Sequence, residues 1–224
     1  MIAGGIKMYS IRELFRRCLG GVCPLCDWPS AAGDLCQQCG SAVRGDQTWH
    51  RTSAGLMVIA ATRYAPPGDR LMRIFKEGGH LHHAGLYARL IWSAMQSTEP
   101  RLPGLAALVP IPADSKAAQR RGFNPACEIA VELSRLARLP VNRLWLTRMR
   151  SGESQKSLGR AARKKSVHAL YQSLYPLPPV WVGLVDDVMT TGSTLEAGAE
   201  ALLQRGASGV VGLVAAKTPA PLSA

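Results

Sequence analysis

The chain has few aromatic residues, few acids and no long apolar run, and each shortage removes a class of protein. Only 6% of its 224 residues are Phe, Trp or Tyr, so no aromatic platform for stacking bases is evident. The longest apolar stretches, such as Leu56 to Ala61, are far short of the roughly 20 residues that a membrane helix needs. Lys7, Arg12, Arg16 and Arg17 near the N-terminus are followed by no extended apolar segment and no small-residue cleavage pattern, so the expected compartment is the cytoplasm. No Gly-Lys-Ser/Thr and no G-x-G-x-x-G occurs, which excludes a P-loop and a dinucleotide fingerprint.

Acids are scarce against 27 Lys and Arg, giving a net charge of +12. The excess is local. Between Ser115 and Lys165 stand 13 basic residues, Arg120, Arg121, Arg160, Arg163, Lys164 and Lys165 among them, against Glu128, Glu132 and Glu153. A polyanion is the natural partner of such a stretch, either nucleic acid or pyrophosphate; a solvated basic face is the alternative.

Six cysteines sort into four and two. Cys23-Pro24-Leu25-Cys26 and Cys36-Gln37-Gln38-Cys39 are CxxC pairs separated by nine residues, Asp27 to Leu35. Each pair can offer two thiolates from one turn, and four thiolates close a tetrahedral zinc site with no position left for substrate. Disulfides compete with zinc for these residues, and a reducing cytoplasm favours the metal. Cys18 falls on the apolar face of a short helix opened by a Ser10/Glu13 capping box, and Cys127 begins an amphipathic helix, so both read as small buried hydrophobes. So short a Cys-rich segment needs a staple, which divides the chain into residues 1–50, a helix with a four-cysteine module, and residues 51–224, with the boundary between Gly45 and Ser53.

The larger part alternates strand and helix patterns. Strands are expected at Leu56 to Tyr64, Leu105 to Ile111, Leu144 to Met149, Trp181 to Val185 and Gly209 to Ala215. Pro66-Pro67-Gly68 reads as a turn, followed by a short helix with Leu71, Ile74 and Phe75 inward; further helices are expected at Leu81 to Met95 and Cys127 to Leu139. The pattern predicts an α/β fold with a mainly parallel sheet and flanking helices, whose ligands gather at strand carboxyl ends. Arg150 to Lys165 is a long polar loop placed to act as a lid.

One such strand end carries the densest chemistry. After Val182 to Val185 come Asp186 and Asp187, then Thr190-Thr191-Gly192-Ser193-Thr194, then helical spacing from Leu195. The hydroxyls, the glycine and the positive helix end suit a phosphate monoester, and ionised Asp186 and Asp187 can each accept a ribose hydroxyl. A plain strand, turn and helix cap would use the same residue types. The segment closely resembles the phosphoribosyl pyrophosphate (PRPP) motif of type I phosphoribosyltransferases. Purine-directed members usually have an acid at the place of Thr190 to take the proton of the incoming base, which Thr cannot do at neutral pH, so no general base can be named.

The resemblance extends through the four cysteines, Lys76 before a glycine turn, Val109-Pro110-Ile111-Pro112, Arg120-Arg121-Gly122-Phe123-Asn124 and Gln155 in a basic loop. In that order, from Cys23 to Lys217, the chain resembles the ComF family. Relatives often have Asn where Ser166 follows Arg163-Lys164-Lys165, and a Thr-containing segment before Gln155. The resemblance implies a cytoplasmic phosphoribosyltransferase-like protein with a zinc finger, handling single-stranded DNA in natural transformation beside other competence proteins. It also implies PRPP as ligand, with Mg2+. For catalysis it would place ribose on Asp186 and Asp187, the 5′-phosphate on Thr190 to Thr194, pyrophosphate on Lys76 with Gly78 and Gly79, and the Gln155 loop over the site. Lys76 could equally be a solvated helix-end lysine, and Arg120 and Arg121 could bind nucleic-acid phosphate or face solvent. His80, His82 and His83 read as a solvated helix start, with a metal or acid–base role as the alternative.

Overall fold

The computed structural model describes residues 21–30, 34–44, 49–77, 82–98, 101–149 and 170–219. The expected N-terminal helix with Cys18, the turn Gly78-Gly79 with His80, and Gln155, Arg160, Arg163, Lys164 and Lys165 in the polar loop lie outside the described residues.

The described chain runs α1 (Gln37–Val43), β1 (Trp49–Arg51), β2 (Met57–Arg63), α2 (Gly68–Glu77), α3 (His82–Ser97), β3 (Leu105–Pro110), α4 (Ser115–Arg121), α5 (Pro125–Ala137), β4 (Thr147–Arg148), β5 (Tyr171–Gln172), β6 (Trp181–Met189), α6 (Ser193–Leu203) and β7 (Gly209–Lys217). The main sheet has the order β1-β2-β7-β6-β3. β2, β7, β6 and β3 are parallel, and only β1 is antiparallel, forming a hairpin with β2. β4 and β5 make a separate antiparallel pair. This is the mainly parallel α/β fold expected from the alternation.

Central strands buried on both faces are apolar throughout, as in β7, where eight consecutive residues from Gly209 are buried. α3 packs on α5, β2 and β7, while α6 packs on β5, β6 and β7. Two buried clusters result. One joins α2, α3 and α5 through Leu71, Phe75, Tyr87, Ile91, Ile129 and Leu133. The other joins α6 to the sheet through Leu184, Leu195, Leu202 and Val214. Cys23, Leu25 and Val43 of the cysteine module belong to the first cluster, and an ion pair between Arg89 of α3 and Asp34 ties the module down further.

Several expectations need correction. β6 does not stop at Val185 but continues to Met189, because β7 keeps pairing with it as far as Met189 and Lys217. β3 has already left it at Val185, so Asp186 and Asp187 stand in a strand whose β3 side has opened. The strand expected over Leu144 to Met149 shrinks to Thr147–Arg148, since the Asn142 side chain accepts from the backbone N–H groups of Leu144 and Trp145 and folds a turn there. Met72, not Ile74, joins Leu71 and Phe75 on the buried side of α2. Gly68 opens that helix against the sheet, and a Cβ there would lie 2.3 Å from the Arg63 carbonyl oxygen.

Candidate functional site

The four cysteines come together as their spacing suggests. Their sulfur atoms all lie within 4.8 Å of one another. Cys23 sits in a turn closed by Cys23 N–H to the Trp28 carbonyl and Asp27 N–H to the Cys23 carbonyl. Cys36 is the N-cap of α1, its Sγ accepting from the Cys39 N–H at 3.5 Å. Cys26 Sγ and Cys36 Sγ are 3.6 Å apart. A tetrahedron of thiolates about 2.3 Å from zinc has edges of about 3.8 Å, so the arrangement fits that ion. All four are free thiols, as is Cys127, buried in α5 as expected. Burial works against a charge on Cys23, but the backbone N–H groups of Cys36, Leu25 and Cys26 outweigh it and bring the thiol down to about 7, whereas burial, then the neighbouring sulfurs of Cys26, Cys36 and Cys23, push Cys39 up. A thiolate is the form a metal takes.

At the carboxyl end of the sheet, successive residues of β6 point to opposite faces, so Asp186 and Asp187 flank the strand. Asp187 turns toward α2, where its Oδ2 lies 2.9 Å from Lys76 Nζ. Lys76 is therefore no solvated lysine. On the buried side of the same helix, Phe75 packs in tilted contact with Phe123 and Tyr87, at ring-centroid distances of 5.6 and 5.7 Å. Asp186 is only 9% exposed. Burial and the adjacent charge of Asp187 push its carboxyl well above the usual range, against the Asp187 backbone N–H, which donates to Asp186 Oδ1 at 2.8 Å, and the more distant Lys76. The Tyr87 hydroxyl is buried without a hydrogen-bond partner, and burial followed by the charges of Asp187 and Tyr64 drives its pKa up.

The next segment turns from β6 into α6. Gly192 is the N-cap, in a left-handed conformation (φ +90°) and without a side-chain cap bond; Thr191 Oγ1 and Ser193 Oγ are 3.2 Å apart. Thr190 and Thr191 are exposed, and Ser193 and Thr194 are half-buried. In the first turn of α6 the Ser193 N–H donates to Thr191 Oγ1 at 3.4 Å and the Glu196 N–H to the Gly192 carbonyl at 2.9 Å, and Gly192 has no side chain to cap the others.

A group that the sequence did not single out is linked to Asp186 through Tyr171, whose phenol feels the Asp186 charge. Arg148 donates to the Tyr171 hydroxyl at 3.2 Å, lies 5.8 Å from the centre of its ring, and has a nitrogen 3.7 Å from Asp114 Oδ2. Burial raises the Tyr171 phenol, Arg148 pulls it down and Asp186 adds to the rise. Asp114 follows the Val-Pro-Ile-Pro strand end after one intervening residue, Ala113, a position that could have marked it; two-residue β4 and β5 carry no readable pattern.

Asp114 also caps α4, accepting from Lys116 and Ala117 N–H groups. α4 has no buried residue and carries Arg120 and Arg121 in its last turn, ending at Gly122 in a left-handed conformation. Phe123 then packs on Phe75 and Asn124 caps α5 while donating to the Ile111 carbonyl. Arg-Arg-Gly-Phe-Asn is thus partly a corner that seats α2 and α5, and partly a basic helix end at the same edge of the sheet as the acids. His83 is 4% exposed, which corrects its placement in a solvated helix start.

These features define a mainly parallel α/β protein with a four-thiol cluster and an acid-rich, hydroxyl-rich strand end. No protein-family model matches the chain. It is 30% identical over 166 residues to competence protein F of Haemophilus influenzae, covering 71% of this chain and 69% of that one. It is 29% identical to the DNA utilization protein YhgH of Salmonella typhimurium, covering 84% and 81%. It is 25% identical to competence protein ComFC of Bacillus subtilis, covering 88% and 78%. The chain belongs to the ComF family.

Proposed function

We propose that this protein binds PRPP on a phosphoribosyltransferase-like domain and handles single-stranded DNA in its uptake or use. The observation that carries the reading is the run from Asp186 to Thr194, set where β3 has left β6 and with Lys76 beside Asp187. The names of its relatives, competence and DNA utilization proteins, support the DNA role. Residues 1–50 form the zinc-bearing module and residues 51–224 the ligand-binding domain.

In this reading Asp186 and Asp187 accept the ribose hydroxyls, and Thr190, Thr191, Gly192, Ser193 and Thr194 receive the 5′-phosphate at the start of α6. Lys76, with Gly78 and Gly79, meets the pyrophosphate, so its pairing with Asp187 is the resting arrangement that ligand entry rearranges. Mg2+ arriving with PRPP supplies charge neutralisation on the pyrophosphate oxygens. Gln155 belongs to the loop that covers the ligand. Arg120 and Arg121, with Arg160, Arg163, Lys164 and Lys165, hold phosphates of the single strand, in the cytoplasm and beside other competence proteins. No described helix is long and apolar enough to cross a membrane.

A second reading is transfer of the phosphoribosyl group to a nitrogen acceptor with release of pyrophosphate. The Lys76 ammonium beside Asp187 supports it, since in this reading it would meet the charge of a departing pyrophosphate. Calorimetric titration with Mg2+-PRPP tests the shared step: wild type binds, and Asp186→Ala/Asp187→Ala does not. A folded, zinc-loaded wild type that takes up no PRPP would overturn the ligand assignment. Pyrophosphate release, screened over nitrogen acceptors, separates the two readings.

A further inference from the structure

We infer that Glu196 is a positioning residue of the phosphate loop, acting through the hairpin turn between β1 and β2. The inference rests on the PRPP reading and adds to it a part of the chain more than a hundred residues away. Glu196 Oε1 accepts from Ala54 N–H at 2.8 Å and from Ser53 Oγ at 3.1 Å. Its own backbone N–H donates to the Gly192 carbonyl at 2.9 Å. One residue therefore grips both the loop and the turn.

The turn is built to receive that grip. Thr52 and Leu56 close it through Thr52 N–H to the Leu56 carbonyl and Leu56 N–H to Thr52 Oγ1, and Gly55 N–H donates to the Thr52 carbonyl. Thr52 is 9% exposed, and its methyl lies so close to the phosphate loop that a Cβ on Gly192 would come within 2.7 Å of it. Gly192 has no side-chain cap bond of its own. The Thr52 methyl instead walls Gly192 in at the start of α6, and the two hydrogen bonds to Glu196 hold the turn that carries this wall. The contact also engages Oε1 with two donors of the turn, so part of a carboxylate one turn into the helix is committed away from an anion at the helix start.

Glu196→Ala removes both hydrogen bonds, whereas Glu196→Gln retains an acceptor at Oε1. Ribose 5-phosphate and Mg2+-pyrophosphate, titrated separately, read the two ends of the ligand site. The expected result for Glu196→Ala is a loss of about tenfold in ribose 5-phosphate affinity, matching a net loss near 1.4 kcal/mol, with pyrophosphate affinity and zinc content unchanged. Glu196→Gln recovers most of the loss, and Ser53→Ala shows a smaller one. Wild-type ribose 5-phosphate affinity in Glu196→Ala, or an equal fall for pyrophosphate, overturns the inference while leaving PRPP binding intact. Hydrogen exchange on the ligand-free protein is independent of any ligand. Residues 190–195 exchange faster in Glu196→Ala and near the wild-type rate in Glu196→Gln; equal protection in all forms overturns the inference even where no sugar phosphate binds.

Discussion

Asp186→Asn is expected to make the protein more stable and less able to bind its ligand. Asp186 is 9% exposed, and its charged form is opposed first by burial and then by Asp187. Asn has the same shape and keeps an oxygen to accept the Asp187 backbone N–H, which now donates at 2.8 Å. What it removes is a buried negative charge whose nearest cation, Lys76, is paired with Asp187. Relief of that kind at a functional site is worth about 1–2 kcal/mol, or roughly 2–8 °C in Tm for a chain of this size. The sign with pH follows from the raised carboxyl. Between its unfolded pKa of about 3.9 and its higher folded value, the folded state binds more protons, so wild-type stability falls as pH rises through that window. Asn lacks this dependence. The advantage of Asp186→Asn is therefore full above the folded pKa and vanishes near pH 4. Urea unfolding at pH 7 and at stepwise lower pH measures it. A variant less stable than wild type at pH 7, or a gap that widens as pH falls, refutes the reasoning.

The other sites give equally direct expectations. Cys36→Ser, which removes a ligand and the sulfur that caps α1, is expected to lose the metal; full zinc content in that variant, measured by metal analysis under reducing conditions, contradicts the four-thiolate assignment. Arg120→Ala/Arg121→Ala is expected to weaken single-stranded DNA binding at every sequence and to lower the salt slope by about 1.4, for two phosphate contacts at about 0.7 each. An unchanged slope in filter binding assigns those arginines to solvent.

The parts of the molecule that were legible in the sequence are those written in contiguous residues. The CxxC pairs declared themselves because each knuckle needs only four residues, and the β6 to α6 segment because a buried strand and a helix start bracket its polar run. α5 was readable from Asn124-Pro125 and its apolar stripe. α4 was not, for it buries nothing and so has no hydrophobic period; only Asp114 and Gly122 mark its ends. The overrun of β6 past Val185 depends on where β3 and β7 stop, which no single strand records. Lys76 was visible as a basic residue before a glycine turn, but its pairing with Asp187 joins the last turn of α2, which packs on β2, to a strand more than a hundred residues later. The Arg148, Tyr171 and Asp114 group and the Glu196 grip join distant segments, and each contributing residue is ordinary in its own neighbourhood.

The claim on which the account depends is that the end of β6 takes a phosphoribosyl pyrophosphate. Phosphorus NMR of Mg2+-PRPP mixed with the zinc-loaded protein observes this most directly, because the 5′-phosphate and the two pyrophosphate phosphorus atoms report separately. All of them are expected to shift or broaden with wild type and none to change with Asp186→Ala/Asp187→Ala. Unperturbed resonances with folded wild type, or equal perturbation by both proteins, would contradict it.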